Sequence, residues 1–424
     1  MILFYIFVLV SPMPNHPLFE PLYAGLTLVK WLGLICCGYA CLKLGRSRRL
    51  PRFFESWEVR CFLVLLGIAT VSSWTLSRTE NLTFNPLSML FGYLLLFFTT
   101  VSVVNTFDRL QKTLLAAIGG ASLTSLYVIR EFQASGGTNL RPGYVAGDSN
   151  YFATCTLLVL PMAAYFIKIK GSRLQQWFCA ISLLLMLVAF TLASSRGGLI
   201  GLCVTVAYMI LRSGHSRRGA VLIAVLILPL LLFSPASPLT RMLHPDYGDT
   251  LGAQVRRDFW NLGFDMIRRH PLTGIGLGNF TAQSFSTSPG AEEKHGMACN
   301  TFLELAAELG IPGLLAYSGI LLGSLFSAGK LRTVGQQRKD AFLQYTGQAI
   351  QAGLLGYAAA AVFVSAQYQK PFWVIVALTA TIPFLLSQQA RNQSNRARQF
   401  VVQNAVLQQG VMRQITNVKA ARAQ

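Results

Sequence analysis

The chain has 424 residues, 53% hydrophobic and only 12% charged, with a mean hydropathy of +0.48, whereas an ordinary soluble domain carries about 25% charged residues. That composition excludes a water-soluble globular protein and points to an all-α polytopic membrane protein. The formal net charge of +20 invites a nucleic-acid reading, which the placement of the charges argues against below.

Crossing about 30 Å of hydrocarbon takes roughly 20 apolar residues. Twelve stretches are candidates: 1–11, 22–44, 60–77, 86–104, 113–130, 148–167, 174–193, 197–211, 219–236, 301–328, 347–366 and 371–387. The first is short and lacks the basic start and small-residue cleavage site of a signal peptide, so it reads as a first helix. Nearly all eight cysteines fall inside predicted helices, where they behave as small hydrophobes rather than a disulfide framework. Lys30 falls within the second helix. A lone charge there costs about 2.5–3.5 kcal/mol at the bilayer centre, which snorkelling or a carboxylate partner would relieve.

With the N-terminus placed in the cytoplasm, the inner segments hold 24 Lys and Arg and the outer ones 11. Inner loops such as 168–173 and 212–218 are short and basic, as the positive-inside rule requires. The charge is therefore mostly topology, with attraction to anionic lipid as a by-product and no nucleic-acid partner. This divides the chain into helices one to nine (1–236), a large periplasmic loop (237–300), helices ten to twelve (301–387) and a basic cytoplasmic tail (388–424). No internal repeat relates the two halves, which weakens an inverted-repeat transporter.

An outer Gly-rich loop, 130–150, ends in Gly147-Asp-Ser-Asn150, where Asp148 and Asn150 serve either to cap the sixth helix or to meet a sugar. Helix seven runs into Ser195-Arg196-Gly-Gly198, a tight outer hairpin. Its Arg196 is placed to meet an anion or simply to snorkel at the interface. In the long loop, Val255, Phe259, Leu262 and Met266 recur at helical spacing and predict an amphipathic helix lying on the bundle. Arg256 and Trp260 stand one turn apart on another face. Guanidinium groups match phosphate oxygens in a bidentate way, so Arg196 and Arg256 would suit a diphosphate. Arg257, Arg268 and Arg269 read as solvated charges, and Arg241 with Gly252 as a chance pattern in so basic a chain.

Gly274-Ile-Gly-Leu-Gly278 follows no predicted strand, so it reads as a turn back to the membrane rather than a dinucleotide loop, with Asn279 and Phe280 facing the bundle or a substrate. In the tail, Leu407, Val411, Ile415 and Val418 mark a surface helix on the inner leaflet or a partly disordered segment.

Four motifs follow one another: Ser195-Arg196-Gly197; Arg256-x-x-x-Trp260; His270-Pro-Leu-Thr-Gly274-Ile-Gly-Leu-Gly-Asn-Phe280; and Asn300-Thr-Phe-Leu-Glu-Leu-Ala-Ala-Glu308-Leu-Gly310-Ile-Pro-Gly313. In that order the chain resembles the O-antigen ligase and polymerase family of bacterial membrane glycosyltransferases, over about residues 145–385. The resemblance implies a GT-C-like multi-helix bundle with a large periplasmic loop, in the inner membrane, with both termini cytoplasmic. It also implies a glycan donor on undecaprenyl pyrophosphate and an acceptor hydroxyl on another glycan or on lipid A-core. No metal, nucleotide or other cofactor is implied, because pyrophosphate is already a good leaving group. Arg196 and Arg256 would bind that pyrophosphate, with Trp260, Gly274, Gly276 and Glu308 in support.

Ligases of this family usually carry His directly before the Asn of the last motif, as base for the acceptor hydroxyl. Here that position is Cys299, and a thiol is a poor substitute. His295, Cys299 and Asn300 are the candidate catalytic residues. His295 would share a face with Cys299 if the tenth helix extends one turn outward, and Glu292, Glu293 and Glu304 are further candidates for the base. Asn300 and Glu308 are also readable as scaffolding, Glu308 fixing the helix start. The polymerase or general-transfer branch is thereby favoured over the lipid A-core ligase. A small-solute transporter and a catalytically silent glycan-binding homologue are the alternatives.

Overall fold

Short polar side chains ahead of the apolar runs set where several helices begin in the computed structural model. Thr106, Asp148, Ser172, Asn300 and Asp340 each accept a backbone N–H from the turn that follows, at 2.6 to 3.3 Å, which satisfies donors that a helix start otherwise leaves orphaned. The structure describes residues 1–13, 27–47, 50–76, 80–137, 141–169, 171–212, 247–287 and 296–395, with 228, 239 and 243 singly. The predicted ninth helix, Arg241, His295, Glu292, Glu293 and the apolar tail positions lie outside the described residues.

The helices are α1 Ile2–Val10, α2 Leu28–Ser47, α3 Trp57–Leu76, α4 Glu80–Val103, α5 Phe107–Ala134, α6 Ser149–Phe166, α7 Arg173–Leu192, α8 Arg196–Arg212, α9 Tyr247–Arg269, α10 Asn279–Thr287, α11 Thr301–Arg338, α12 Ala341–Ala361 and α13 Lys370–Thr379. They belong to a unit spanning Met1–Thr381. A second unit, Ile382–Gln424, is helical over its described residues 382–395.

Six helices among the described residues are long and apolar enough to cross a membrane: Trp57–Leu76, Pro86–Val103, Phe107–Ala134, Arg173–Leu192, Thr301–Arg338 and Lys370–Asn395. Predicted spans α6, α8 and α12 fall short of that mark. Their physical setting differs: α12 packs on α6, α8 and α11, and α6 on α7 and α8. Helices that face other helices carry small and polar residues for close approach rather than lipid-facing bulk. A Cβ on Gly201 of α8 would lie 2.5 Å from the Gly356 carbonyl oxygen of α12, so this crossing exists only with glycine at that position. Lys30 is exposed on α2.

Buried aromatic rings fill the space between α3, α4, α11, α12 and α13. Tyr93 stacks on Trp373 at 5.1 Å, Tyr357 stacks on Phe372 at 4.6 Å, and Phe62 meets Trp373 edge-on. Glu58, also fully buried, accepts hydroxyl hydrogen bonds from Ser56 at 2.5 Å and Ser327 at 2.6 Å, the compensation a buried carboxyl group requires. This ties α3 to α11.

Of the boundaries that differ from the sequence reading, two bear on the site. The tenth predicted helix runs on to Arg338, because hydrophobicity stops at the membrane edge while helix-forming Lys330, Arg332 and Gln336 continue the turn. The eleventh is Ala341–Ala361 rather than 347–366. Asp340 caps it early, and residues 362–369 leave the helix to turn back toward α11.

A kink in α11 docks the loop that follows α9. Gly310 takes φ +71° and Pro312 has no N–H to donate. An unbroken helix would pair Ile311 with the Ala307 carbonyl and position 312 with that of Glu308. Instead Ile311 N donates to the Pro271 carbonyl at 2.8 Å, and the freed carbonyls accept Ile275 N at 2.9 Å and Gly276 N at 3.0 Å. Gly274, at φ +66°, is pressed so closely on α11 that a Cβ would lie 2.2 Å from the Glu308 carbonyl oxygen. The His270–Phe280 and Asn300–Gly313 motifs are therefore two halves of one structural unit.

Candidate active site

The starts of α6 and α8 are tied together. The Ser195 hydroxyl donates to the Asn150 side-chain oxygen at 2.9 Å and accepts Gly198 N at 3.1 Å, while Asp148 caps α6 through Asn150 N at 2.6 Å. Ser194 takes φ +52° to make this corner. Arg196, the first residue of α8, is thereby held in the lining of a cleft that also includes Arg141, Asn150, Arg256, Phe363 and Val364. Three guanidinium groups beside the positive ends of two helices make this cleft suited to an anion.

The amphipathic helix of the long loop supplies the opposite wall. In α9, Phe259 and Met266 are buried, and Val255 and Leu262 pack in the same cluster, which includes Ile275, Phe280, Leu303 and Ala307. That stripe lays α9 on α11 and leaves Arg256, half-buried, turned into the cleft. Trp260, one turn on, donates its indole N–H to the Ala298 carbonyl at 3.0 Å, and its ring lies 6.4 Å from that of Phe363. Arg257, Arg268 and Arg269 are exposed on α9. The Arg268–Asp265 pair at 3.6 Å is a solvated contact of small energetic weight.

Residues 296–300 lead into α11, and the Gly296 carbonyl accepts the Ser284 hydroxyl of α10 at 2.8 Å. Asn300 caps α11 with its side-chain oxygen on Phe302 N and Leu303 N, both at 3.1 Å. Cys299, just before it, takes φ +50° and lies outside the helix. α11 does not extend one turn outward, so the helical register that would set His295 and Cys299 on one face is not formed. Gly296 and the Asn300 cap end the helix instead. Burial pushes the Cys299 thiol above its ordinary range, opposed by the Arg256 guanidinium hydrogen-bonded to it, while the Glu304 and Asp148 carboxylates reinforce the rise. At neutral pH the thiol is protonated, which fits a hydrogen-bonding partner of Arg256 better than a base.

The structure thus brings Arg196 and Arg256 to one cleft, with Cys299 hydrogen-bonded to Arg256, Trp260 one turn along α9 and Asn300 next to Cys299 as the cap of α11. Gly274, Gly276 and Glu308 sit deeper, in the kink unit. Glu308, buried, accepts Phe280 N at 3.3 Å, and Asn279 and Phe280 are themselves buried, with Asn279 bonded to the Leu76 and Ile275 carbonyls at 2.8 Å. Sequence reasoning passed over Ser195 as a cap and the whole 362–369 turn. The polar residues Ser365 and Gln367, which interrupt the apolar run just before Pro371, were the signal for that turn.

Residues 181–318 match the family model described as O-Antigen ligase, roughly a third of the chain. The matched stretch contains Arg196, Arg256, Cys299 and both halves of the kink unit. No curated protein matches the chain.

Proposed function

We infer that this chain belongs to the O-antigen ligase/polymerase family of membrane glycosyltransferases, whose model its residues 181–318 match, and that it moves a glycan from an undecaprenyl-pyrophosphate donor to an acceptor hydroxyl in surface-polysaccharide assembly. The observation that carries the reading is that Arg196 and Arg256, from helices 60 positions apart in the chain, line one cleft at the starts of α6 and α8. In this reading the protein lies in the inner membrane with both termini in the cytoplasm and the cleft opening to the periplasm, where donor and acceptor meet.

In the step we propose, the acceptor oxygen forms a bond to the anomeric carbon as the bond from that carbon to the phosphate oxygen breaks. Undecaprenyl pyrophosphate leaves with the electron pair, and its developing charge is taken up by Arg196, Arg256 and the helix starts. The hydroxyl proton passes to solvent water. A good leaving group and an oxocarbenium-like transition state demand little base assistance, so a protonated Cys299 in place of the ligases' His is compatible with transfer. Cys299 favours growth of a lipid-linked glycan over transfer to lipid A-core. It is also what supports a second reading, a glycan-binding homologue without turnover.

The test is the glycan pool of a deletion strain, with lipid-linked repeat units, polymer and lipopolysaccharide resolved on one gel. Accumulated single repeat units support polymerisation, and accumulated lipid-linked polymer beside bare lipid A-core supports ligation. Unchanged pools contradict transfer.

A further inference from the structure

One buried carboxylate holds the walls of this cleft together. Glu304, in the first turn of α11, is 6% exposed. Its Oε2 accepts Ala298 N at 3.1 Å and the Ser365 hydroxyl, and its Oε1 accepts the Gln367 side-chain N–H at 2.6 Å. The three contacts reach two different segments. Ala298 precedes Cys299 directly, and its carbonyl holds the Trp260 indole of α9, one turn from Arg256. Ser365 and Gln367 belong to the turn that carries Phe363 and Val364 into the cleft. Thr301 reinforces the same junction, donating to the Val364 carbonyl at 2.7 Å and accepting Ala366 N at 2.8 Å.

We propose that Glu304 is a positioning residue of the transfer site: it fixes Cys299 and, through Ala298 and Trp260, Arg256, against the Phe363 wall, and it is not the base for the acceptor hydroxyl. Both its oxygens are engaged by protein donors, and the carboxyl group is not among the residues that line the cleft where an acceptor hydroxyl would enter. A charged or neutral acceptor serves the clamp equally well. The partner side chain even holds the means of adapting, because Gln367 Oε1 is buried without a hydrogen-bond partner. In E304Q the new amide keeps an oxygen for Ala298 and Ser365 and turns its N–H toward residue 367, whose own amide turns over to present Oε1. E304A leaves the Ala298, Ser365 and Gln367 donors unmatched in a buried place, a large penalty.

The role rests on the transfer reading above, so the experiment carries a readout that needs no transfer. In the purified full-length protein, alkylation of Cys299 by N-ethylmaleimide is followed at its own peptide by mass spectrometry, alongside glycan transfer, in wild type, E304Q, E304A and S365A. The clamp predicts Cys299 alkylation about tenfold faster in E304A, an intermediate rise in S365A, and wild-type protection in E304Q, as expected when buried donors lose or keep a partner. It also predicts transfer in E304Q within about threefold of wild type and lost in E304A. Unchanged Cys299 protection in E304A overturns the clamp. Loss of transfer in E304Q with Cys299 still protected overturns it too, and returns Glu304 to proton transfer. Should S365A and E304A expose Cys299 while wild type transfers no glycan, the clamp stands and the glycosyltransferase reading falls.

Discussion

The Ser195 hydroxyl joins two helix starts by donating to Asn150 at 2.9 Å while accepting Gly198 N at 3.1 Å. Arg196 inherits its position from this bond. Replacing Ser195 with Ala removes the cap, at a cost of roughly 1 kcal/mol, and frees the corner that aims Arg196. The expected outcome is a lowered unfolding temperature in detergent together with reduced donor affinity in a transfer assay. Ser195→Thr, which keeps the hydroxyl, restores most of both.

The kink unit predicts a sharp contrast between glycines. Gly274→Ala combines φ +66° with a Cβ 2.2 Å from a backbone oxygen of α11, so it should destabilise the protein by about 3 kcal/mol or more. Gly92→Ala on α4, where a Cβ meets nothing within 4 Å, should be neutral. Thermal unfolding of the two variants checks the pair, and equal stabilities would dissolve the unit.

Cys299 ionises late because burial outweighs the neighbouring guanidinium. Its rate of alkylation, measured at the Cys299 peptide across a pH series, should reach half-maximum above the ordinary thiol range. Removing the Arg256 charge withdraws the influence that favours the thiolate, so R256M should move that midpoint higher still. A midpoint below the ordinary range in wild type would place a reactive thiolate beside Arg256. Cys299→Ala, by the same account, should cost transfer only a few-fold, since a protonated thiol contributes a hydrogen bond and not a proton acceptor.

The parts of this architecture set by local chemistry were legible in the sequence. The Val255–Met266 stripe announced a helix lying on the bundle because burial of one face demands a 3.6-residue period, and Asp148 announced a cap. Arg196 and Arg256 stood out because glycines or an aromatic residue flanked them at the edge of apolar helices. The pairing of Pro271 with Ile311 was not legible, since it depends on a left-handed Gly310 and on contact between segments forty positions apart. The 362–369 turn was marked only by Ser365 and Gln367, because its apolar residues continue the hydrophobicity of α12 although their backbone leaves it to meet Glu304 and Thr301. Cys299 showed that a base was missing, but its left-handed backbone, which keeps it off the helix, has no signature in residue type.

The most direct test of the central claim is transfer by R256K in the deletion strain, against wild type at equal membrane abundance. Lysine keeps the positive charge but cannot bridge two phosphate oxygens from one planar group. If Arg256 holds the departing pyrophosphate, R256K should cut transfer by about 100-fold or more and leave the deletion strain's glycan pattern unrescued. Full rescue by R256K would remove Arg256 from the site and contradict the account.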